Sequence, residues 1–414
     1  MEVLYSSTRD GSNYIKASQA ILKGLADDGG LFVPNAVPAF DFSLSDLKNM
    51  DYKETAYNVM KLLLTDFTEE ELKYCINGAY DSKFDTEEIA PLVYADGAYY
   101  LELFHGKTIA FKDMALSILP YLMTTAAKKN DVKEKIIILT ATSGDTGKAA
   151  LAGFADVPGT GIVVFYPKNG VSAIQEKQMV TQEGANVKVI GIHGNFDDAQ
   201  TGVKMMFNDD ELKAELKNKG YVFSSANSIN IGRLVPQIVY YVYSYGSLLK
   251  NGKIAEGDKI NVVVPTGNFG NILAAYYAKQ MGLPIDKLIC ASNDNKVLYD
   301  FFETGSYDRN REFILTTSPS MDILISSNLE RLIYRIAGNN AERNAQLMAS
   351  LSGTGVYTIS DEEKKGLADF YGDYANEEET AKEIARIYNS CGYVLDTHTA
   401  VASAVYQKYV AKTG

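Results

Sequence analysis

The residue best suited to chemistry is Lys112, in the polar segment at residues 104–113, FHGKTIAFKD. It follows Phe111 and precedes a helical pattern of apolar residues, so its ammonium is expected at the entry of a buried helix. Desolvation lowers the pKa of a lysine and makes the neutral amine available as a nucleophile or base. A Schiff base with an aldehyde cofactor is chemistry that such a lysine serves. Taken alone, the pattern is more often that of a solvated lysine at a helix end.

A second candidate is the loop at residues 140–148, TATSGDTGK, which follows a predicted strand. Ligands of parallel α/β sheets bind beyond the carboxyl ends of strands, so this is a place to expect one. Its hydroxyls and successive N–H groups before a helix suit a carboxylate or a phosphate. The nucleotide phosphate loop needs glycine at 142 and serine or threonine at 149, where Thr142 and Ala149 stand, so that motif is excluded. A plain structural turn remains the alternative.

A third candidate is the loop at residues 265–271, PTGNFGN, which follows the strongest predicted strand and opens a helix. Its two glycines allow close approach of a ligand, and the helix start offers unpaired N–H groups. It contains no lysine for a polyphosphate, so a single phosphate monoester, such as that of a phosphorylated cofactor, suits it best. A tight turn that binds nothing is the competing interpretation.

Two further helix starts carry polar side chains. Residues 225–233, SANSINIGR, supply amide and hydroxyl groups and end in Arg233, whose fork matches phosphate or carboxylate. An ordinary capped helix with a surface arginine fits equally well. At residues 396–401, DTHTAV, Thr399 is either a helix cap or a hydroxyl directed into a site.

The elements around these loops alternate between strands and helices. Residues 1–90 are predicted to be mainly helical, with patterns at 14–26, 52–64 and 68–76. Short apolar runs, each followed by a helical pattern, are predicted strands at 136–139, 162–165, 187–190, 222–223, 260–264 and 288–290. Asp197 is predicted to cap one of these helices, and further helices are predicted at 322–336, 362–371 and 378–391. Buried strands separated by helices indicate an α/β fold with parallel sheets, most simply two layered lobes.

Bulk composition excludes several classes of function. The chain has 414 residues, 46% of them apolar and 22% charged, which is typical of a globular protein with two or three domains. A formal charge of -12 without a basic cluster argues against a nucleic-acid surface. Three cysteines and three histidines lie far apart, so neither a disulfide framework nor a metal centre is expected. No membrane helix or signal segment is seen, and a cytoplasmic protein is expected.

Together the segments resemble the threonine synthase family of the bacterial and fungal type, almost from end to end. The resemblance includes the Lys112 segment, both loops and the two helix starts described above. It extends to residues 5–9 (YSSTR), 28–34 (DGGLFVP), 165–168 (FYPK), 171–179 (VSAIQEKQM), 194–200 (GNFDDAQ) and 398–400 (HTA). The wider class of fold type II enzymes that use pyridoxal 5'-phosphate (PLP) would share only the lysine, the Ser-Gly loop and the glycine loop.

The resemblance implies an α/β fold type II architecture, with two α/β lobes built on parallel-type central sheets and a mainly helical N-terminal domain. The implied domains are residues 1–90 for the N-terminal domain, 91–113 with 211–414 for the large PLP-binding domain, and 114–210 for a small mobile domain. One position departs from the family pattern: Lys107 stands where the family's His-Gly-Pro-Thr run has proline. A solvated loop lysine is favoured there over an extra phosphate contact.

The resemblance also implies a role for each candidate residue. Lys112 would form the Schiff base with PLP and act as the proton shuttle. The other expected cofactor contacts are Gly267, Asn268, Phe269, Gly270 and Asn271 at the phosphate and Thr399 at the pyridine nitrogen. The substrate α-carboxylate would be held by Thr142, Ser143, Gly144, Asp145 and Thr146, and the substrate phosphate by Ser228, Asn230 and Arg233.

The implied reaction is the conversion of O-phospho-L-homoserine and water to L-threonine and phosphate, by a protein expected to be a monomer. A serine or threonine dehydratase is the nearer alternative, and it would have no use for a second phosphate site. A non-catalytic binding protein on the same fold is the more distant alternative, and it predicts no visible absorbance with PLP.

Overall fold

A computed structural model describes residues 2–142 and 144–414. Its N-terminal part is a group of helices beside one short antiparallel strand pair, as the sequence pattern predicts. The elements are β1 (Tyr5–Ser7), α1 (Ala17–Lys23), β2 (Phe32–Pro34), a 3-10 helix (Leu44–Asn49), α2 (Tyr52–Leu63) and α3 (Glu69–Ala79). Helix α2 begins after Asp51 and α3 after Thr68, and each cap accepts a hydrogen bond from the backbone N–H three residues later.

The next part contains a four-stranded parallel sheet. A hairpin comes first, and the sheet strands then alternate with helices. The elements are β3 (Leu92–Ala95), β4 (Ala98–Leu101), α4 (Asp113–Leu116), α5 (Leu119–Lys129), β5 (Lys135–Ala141), α6 (Asp145–Phe154), β6 (Thr160–Pro167), α7 (Ala173–Val180), β7 (Val187–Ile192), α8 (Phe196–Asn208), α9 (Asp210–Asn218) and β8 (Tyr221–Ser224). The strand order is β7-β6-β5-β8, so β5 lies inside the sheet and its carboxyl end carries the loop to α6.

The last part contains a three-stranded parallel sheet in the order β13-β10-β9. Its elements are α10 (Ile231–Lys250), β9 (Ile260–Pro265), α11 (Gly270–Gln280), β10 (Ile285–Ser292), α12 (Val297–Thr304), β11 (Ser306–Asp308), a 3-10 helix (Pro319–Met321), α13 (Leu329–Ile336), α14 (Ala341–Gly353), β12 (Val356–Thr358), α15 (Asp361–Lys365), β13 (Phe370–Tyr374), α16 (Glu377–Cys391) and α17 (Thr397–Thr413). Because parallel strands align their carboxyl ends, the loop after β9 opens at one edge of this sheet.

Helix α10 joins these parts. It is buried along nearly its whole length and belongs to one hydrophobic core that includes α2, α3, α5, α11 and both parallel sheets. Its N-terminal end, where Arg233 lies, is therefore fixed from several sides. None of the helices in the described part of the chain is long and apolar enough to cross a membrane.

The parallel α/β architecture is confirmed, but three local predictions are wrong. The helix predicted at 362–371 ends at Lys365, and Phe370 begins β13, because a short apolar run does not distinguish a strand from a buried helix. The helix predicted from residue 322 begins only at Leu329, because the preceding residues bind the loop after β9. Helix α8 is capped by Asn195 rather than Asp197, since the Asn195 side chain accepts from Asp198 N.

The predicted boundary of the small lobe stays a prediction, and one strand pairing bears on it. The predicted boundary at residue 210 leaves β8 outside the small lobe, whereas β8 pairs with β5 of the four-stranded sheet. That sheet therefore continues to residue 224. Backbone pairing over so long a sequence separation has no local signal in the sequence.

Candidate active site

Lys112 stands immediately before α4, and its side chain is 11% exposed. Its Nζ donates a hydrogen bond of 2.9 Å to Ser320 Oγ and lies 3.5 Å from Asp145 Oδ2. Burial lowers the pKa of Lys112, and the charges of Arg233 and Lys148 lower it further, whereas Asp145 opposes them. The predicted position of this lysine at a buried helix start is confirmed, and the direction of its pKa shift is towards easier loss of the proton.

Asp145, in the first turn of α6, is the counter-ion of this site. Its Oδ1 lies 3.1 Å from Lys148 Nζ and accepts a 2.9 Å hydrogen bond from Gln175 Nε2. Ser320 Oγ donates a 2.8 Å hydrogen bond to Oδ2. Burial alone would raise the pKa of Asp145, but Lys112 and Lys148 outweigh it and hold the pKa far below its usual range. The carboxylate is therefore a fixed negative charge.

This charge changes the predicted role of Asp145. A carboxylate that stays ionised repels a second carboxylate, so Asp145 does not suit direct contact with the α-carboxylate of a substrate. Its contacts are those of a partner for two lysines, and we infer that this is its function.

Ser320 and its neighbour His398 were not found by sequence reasoning. Ser320 lies in the short 3-10 helix of the polar stretch 316–320, TTSPS, which gives no periodic signal. Its hydroxyl links Lys112 to Asp145, while its backbone N–H donates a 3.2 Å hydrogen bond to His398 Nε2. Since Nε2 accepts, the ring proton is on Nδ1, which lies 3.2 Å from Asp396 Oδ1. The start of α17 thereby fixes the residue that orients Lys112.

The loop before α6 is ordered by Thr142, whose Oγ1 accepts 2.9 Å hydrogen bonds from both Gly144 N and Gly147 N. Gly144 has a φ of 141°, and a Cβ there would lie 2.4 Å from the Gln175 side chain, so glycine is required. The N–H of Gly144 is thus used within the loop, whereas Thr146 lies in the first turn of α6. Ser143, also predicted to bind substrate, lies outside the described residues.

The glycine loop between β9 and α11 presents a row of backbone N–H groups. Thr266 N donates to Ala291 O and Leu273 N donates to Phe269 O, but the described residues offer no acceptor to the N–H groups of residues 267–271. Phe269 is buried and has a left-handed backbone with φ 62°, which turns the chain into the helix. Orphaned N–H groups at a helix start form an anion site.

The carbonyl groups of the same loop are held from behind. Ser326 Oγ donates a 2.7 Å hydrogen bond to Gly267 O, and Asn328 donates to Asn268 O from its backbone N and its Nδ2 at 3.0 and 2.9 Å. Asn328 Oδ1 accepts from Arg331, a fully buried arginine that also donates to backbone carbonyl groups of β2 and of the 225–230 segment. These residues, also not found by sequence reasoning, turn the carbonyl groups away and leave the N–H groups free.

Two side chains that were predicted to contact the cofactor face protein partners instead. Asn271 Oδ1 accepts hydrogen bonds from the hydroxyls of Tyr240 and Tyr241, so this oxygen is used within the protein. The hydroxyl of Thr399 donates to Asp396, which caps α17. Thr399 is therefore not the cap itself but lies in the first turn of α17, hydrogen-bonded to the cap, and its contact with a pyridine nitrogen stays a prediction.

Arg233 is a buried cation with few partners. It is 3% exposed, its Nη1 donates a 3.0 Å hydrogen bond to Ala226 O, and its Nε has no acceptor among the described residues. Burial lowers its pKa to about 10. A buried guanidinium without a carboxylate partner is costly unless an anion joins it, which favours the predicted anion role over a surface arginine.

Asn230 and Ser228, the other predicted residues near the start of α10, differ in burial and in hydrogen bonding. Asn230 is fully buried, caps α10 by accepting from Gly232 N at 2.8 Å, and donates to Ile21 O at 3.0 Å and Ser225 O at 3.1 Å. Its amide is used by the protein as a helix cap, and its predicted contact with substrate stays a prediction that these hydrogen bonds do not favour. Ser228 is half-buried, and its contact with substrate stays a prediction.

The site as a whole fits a phosphorylated aldehyde cofactor. It combines an amine with a lowered pKa, orphaned N–H groups suited to one phosphate, and a separate buried cation for a second anion. No group of three or more metal-ligating side chains is found in the described parts of the chain. Lys107 is exposed, which agrees with the solvated loop lysine favoured from the sequence.

Replacing Gly267 with alanine is expected to loosen this site. The new Cβ would lie 2.2 Å from Ser320 O, so the segment that orients Lys112 must move. We expect a loss of about 1–3 kcal/mol of stability and about tenfold weaker PLP binding. Thermal melting and PLP titration measure the two effects. Gly353→Ala, where a Cβ meets nothing within 4 Å, is the control, and equal behaviour of both variants would contradict the prediction.

Comparison with known proteins identifies similar chains. A family model described as threonine synthase N terminus matches residues 4–80, and one described as pyridoxal-phosphate dependent enzyme matches residues 88–414. A PLP-bound threonine synthase from Brucella melitensis is 38% identical with a TM-score of 0.91, over 98% of this chain and 86% of that one. The yeast threonine synthase structure is 36% identical with a TM-score of 0.91, over 99% and 84%.

A further relative is longer. The human threonine synthase-like 1 protein is 41% identical over 410 residues, which are 96% of this chain but 55% of that protein. The chain thus spans about half the length of this curated relative and most of the length of the two solved structures.

Proposed function

Because the chain belongs to the threonine synthase family of PLP-dependent enzymes, we propose that it converts O-phospho-L-homoserine and water to L-threonine and phosphate. The observation that carries the proposal is the presence of two separate anion sites beside Lys112, a buried lysine with a lowered pKa. The glycine loop takes the phosphate of the cofactor, and Arg233 takes the phosphate of the substrate. A dehydratase would need only the first site.

PLP, when bound, supplies an aldehyde that links the substrate amine to a conjugated ring able to stabilise negative charge at the substrate carbons. The protein must then remove and return protons in sequence. Lys112 is placed for this work, since its amine is buried, has a lowered pKa and is oriented by Ser320. A base that is neutral at one stage and protonated at another is most effective when its pKa is near the working pH.

Asp145 and its partners hold Lys112 in place between proton transfers. The carboxylate accepts from Ser320 Oγ and lies 3.5 Å from Lys112 Nζ, so it stabilises the ammonium whenever Lys112 carries a proton. Solvent water has little access to this group of side chains, because Lys112, Asp145 and Lys148 are all largely buried. The proton on Lys112 is therefore directed to the substrate rather than exchanged with solvent.

The substrate is oriented by its two anionic groups. Thr146 and the first turn of α6 meet the α-carboxylate, at a helix N-terminus where anions are favoured. Arg233, fixed by Ala226 O, meets the phosphate and stabilises the negative charge of the leaving group. Both contacts lie in a protein whose overall charge is -12, so local positive groups must supply the attraction.

The natural setting we propose is a cytoplasmic monomer in threonine biosynthesis, with small molecules as its partners and neither nucleic acid nor membrane among them. The small lobe, whose sheet ends at residue 224, would close over the substrate. Light scattering with and without substrate measures the mass of the particle, and a stable dimer would contradict the monomer.

The test of the function is a coupled assay of phosphate and threonine from O-phospho-L-homoserine by the PLP-loaded protein. Equal amounts of both products are expected. Release of a keto acid from serine or threonine, which carry no phosphate group, would instead support a dehydratase. No visible absorbance after PLP addition would support a non-catalytic protein and contradict the proposal.

A further inference from the structure

Lys148 is a buried cation that the reaction described above does not use. Its side chain is 10% exposed, and its Nζ lies 3.1 Å from Asp145 Oδ1. Lys112 approaches the other oxygen of the same carboxylate, at 3.5 Å. Lys148 is also the lysine of the loop that resembles a nucleotide phosphate loop but lacks its glycine and its final hydroxyl. Its burial and its partner therefore need another explanation.

One carboxylate, that of Asp145, faces both buried lysines of this centre. On the α6 side Asp145 faces both lysines, on the α10 side stands Arg233, and on the α17 side stands His398, one hydrogen bond beyond Ser320. Asp113, next to Lys112 in α4, has its carboxylate occupied by Thr108 N and Thr108 Oγ1, each at 2.7 Å. Asp145 is thus the carboxylate shared by the two lysines.

This sharing matters when Lys112 is bonded to another group. When the neutral amine of Lys112 condenses with an aldehyde, a C=N bond replaces the aldehyde C=O bond, one water leaves, and Lys112 no longer offers Asp145 a free ammonium. An ionised carboxylate left alone would repel a substrate with two anionic groups. Lys148 lies three residues after Asp145 on the same helix, so it keeps its place whatever Lys112 does.

We propose that Lys148 is a positioning residue of the reaction centre, which neutralises Asp145 throughout the cycle and so admits an anionic substrate beside it. The proposal rests on the proposed function, since it assumes a substrate with two anionic groups. It has a second consequence in the protein without cofactor. Lys148 disfavours a proton on Lys112, so it also favours the neutral amine that captures the aldehyde.

The primary test is the pH dependence of PLP capture by the apoprotein, followed by visible absorbance in a stopped-flow instrument. Capture requires neutral Lys112. Lys148→Met removes a cation that repels the Lys112 ammonium. The Asp145 carboxylate then interacts with Lys112 alone, so the pKa of Lys112 rises. The pH of half-maximal rate is expected to rise by about one unit, which is about tenfold in proton affinity.

Matched variants separate this role from a purely structural one. Lys148→Arg keeps the charge and is expected to restore the profile of the unaltered protein. Lys133→Met removes a lysine whose side chain is 83% exposed and is expected to change nothing. Lys148→Gln is the second charge-free variant, used if thermal melting shows that Lys148→Met is less stable.

Steady-state kinetics supply an independent readout. With O-phospho-L-homoserine, loss of the charge at 148 is expected to raise KM about tenfold, with a smaller effect on kcat. An unshifted capture profile together with an unchanged KM in the charge-free variants would overturn the role of Lys148. Failure of the unaltered protein to capture PLP at any pH would overturn the proposed function instead, so the two failures are distinguishable.

Discussion

Lys112→Ala is expected to lower kcat for threonine formation by about 10⁴-fold and to abolish covalent attachment of PLP. The buried amine that Ser320 and Asp145 orient is both the attachment point and the group that transfers protons. Alanine supplies neither function, and water cannot replace the amine in so enclosed a position. Phosphate release measures the first effect, and mass spectrometry after borohydride reduction measures the second.

The matched control is Lys107→Ala, five residues earlier in the same segment. Lys107 is exposed, so its removal is expected to leave kcat and the covalent adduct within a factor of two of the unaltered protein. A borohydride-stable adduct in Lys112→Ala, at another lysine, would show that the attachment point is misassigned. A large loss of activity in Lys107→Ala would instead favour the extra phosphate contact.

Arg233→Met is expected to raise KM for O-phospho-L-homoserine by about 100-fold, because a charge-assisted contact with the phosphate is lost in a buried place. The same variant is not expected to lower the stability of the protein. Arg233 is buried without a carboxylate, and its Nε has no acceptor among the described residues, so a methionine relieves an uncompensated charge. The loss of one hydrogen bond to Ala226 O offsets part of that gain. Thermal melting is therefore expected to be unchanged or slightly higher.

Two further variants sharpen this prediction. Arg233→Lys keeps the charge without the fork and is expected to fall between methionine and arginine in KM. Arg309→Met removes a half-buried arginine that donates to Ser352 O, and KM is expected to stay unchanged. Inhibition by free phosphate gives a readout that does not depend on turnover. Equal inhibition of the unaltered and Arg233→Met proteins would place the phosphate elsewhere.

Much of the fold was predictable because its signals are local. Parallel strands such as β5 and β6 contain continuous apolar runs, and helices such as α2, α3 and α7 begin at recognisable caps. The prediction was wrong where short segments depend on distant partners. Strand β13 pairs with β10 from about 80 residues away, and β8 joins β5 across a similar gap. Neither pairing leaves a periodic signal in its own segment.

The sequence by itself determined the α/β class, the lysine, the two glycine-containing loops and the cations that an anionic ligand requires. These follow from residue type and from position after a strand, and both are local properties. Which of these residues meet depends on how the chain packs. This packing brought Ser320 from the far part of the chain to Lys112, divided Asp145 between two lysines, and gave Asn230 and the side chain of Asn271 to structural hydrogen bonds. The physical reason is that charge and hydrogen-bond partners act through space, so burial and counter-ions are set by packing between segments that are far apart in sequence.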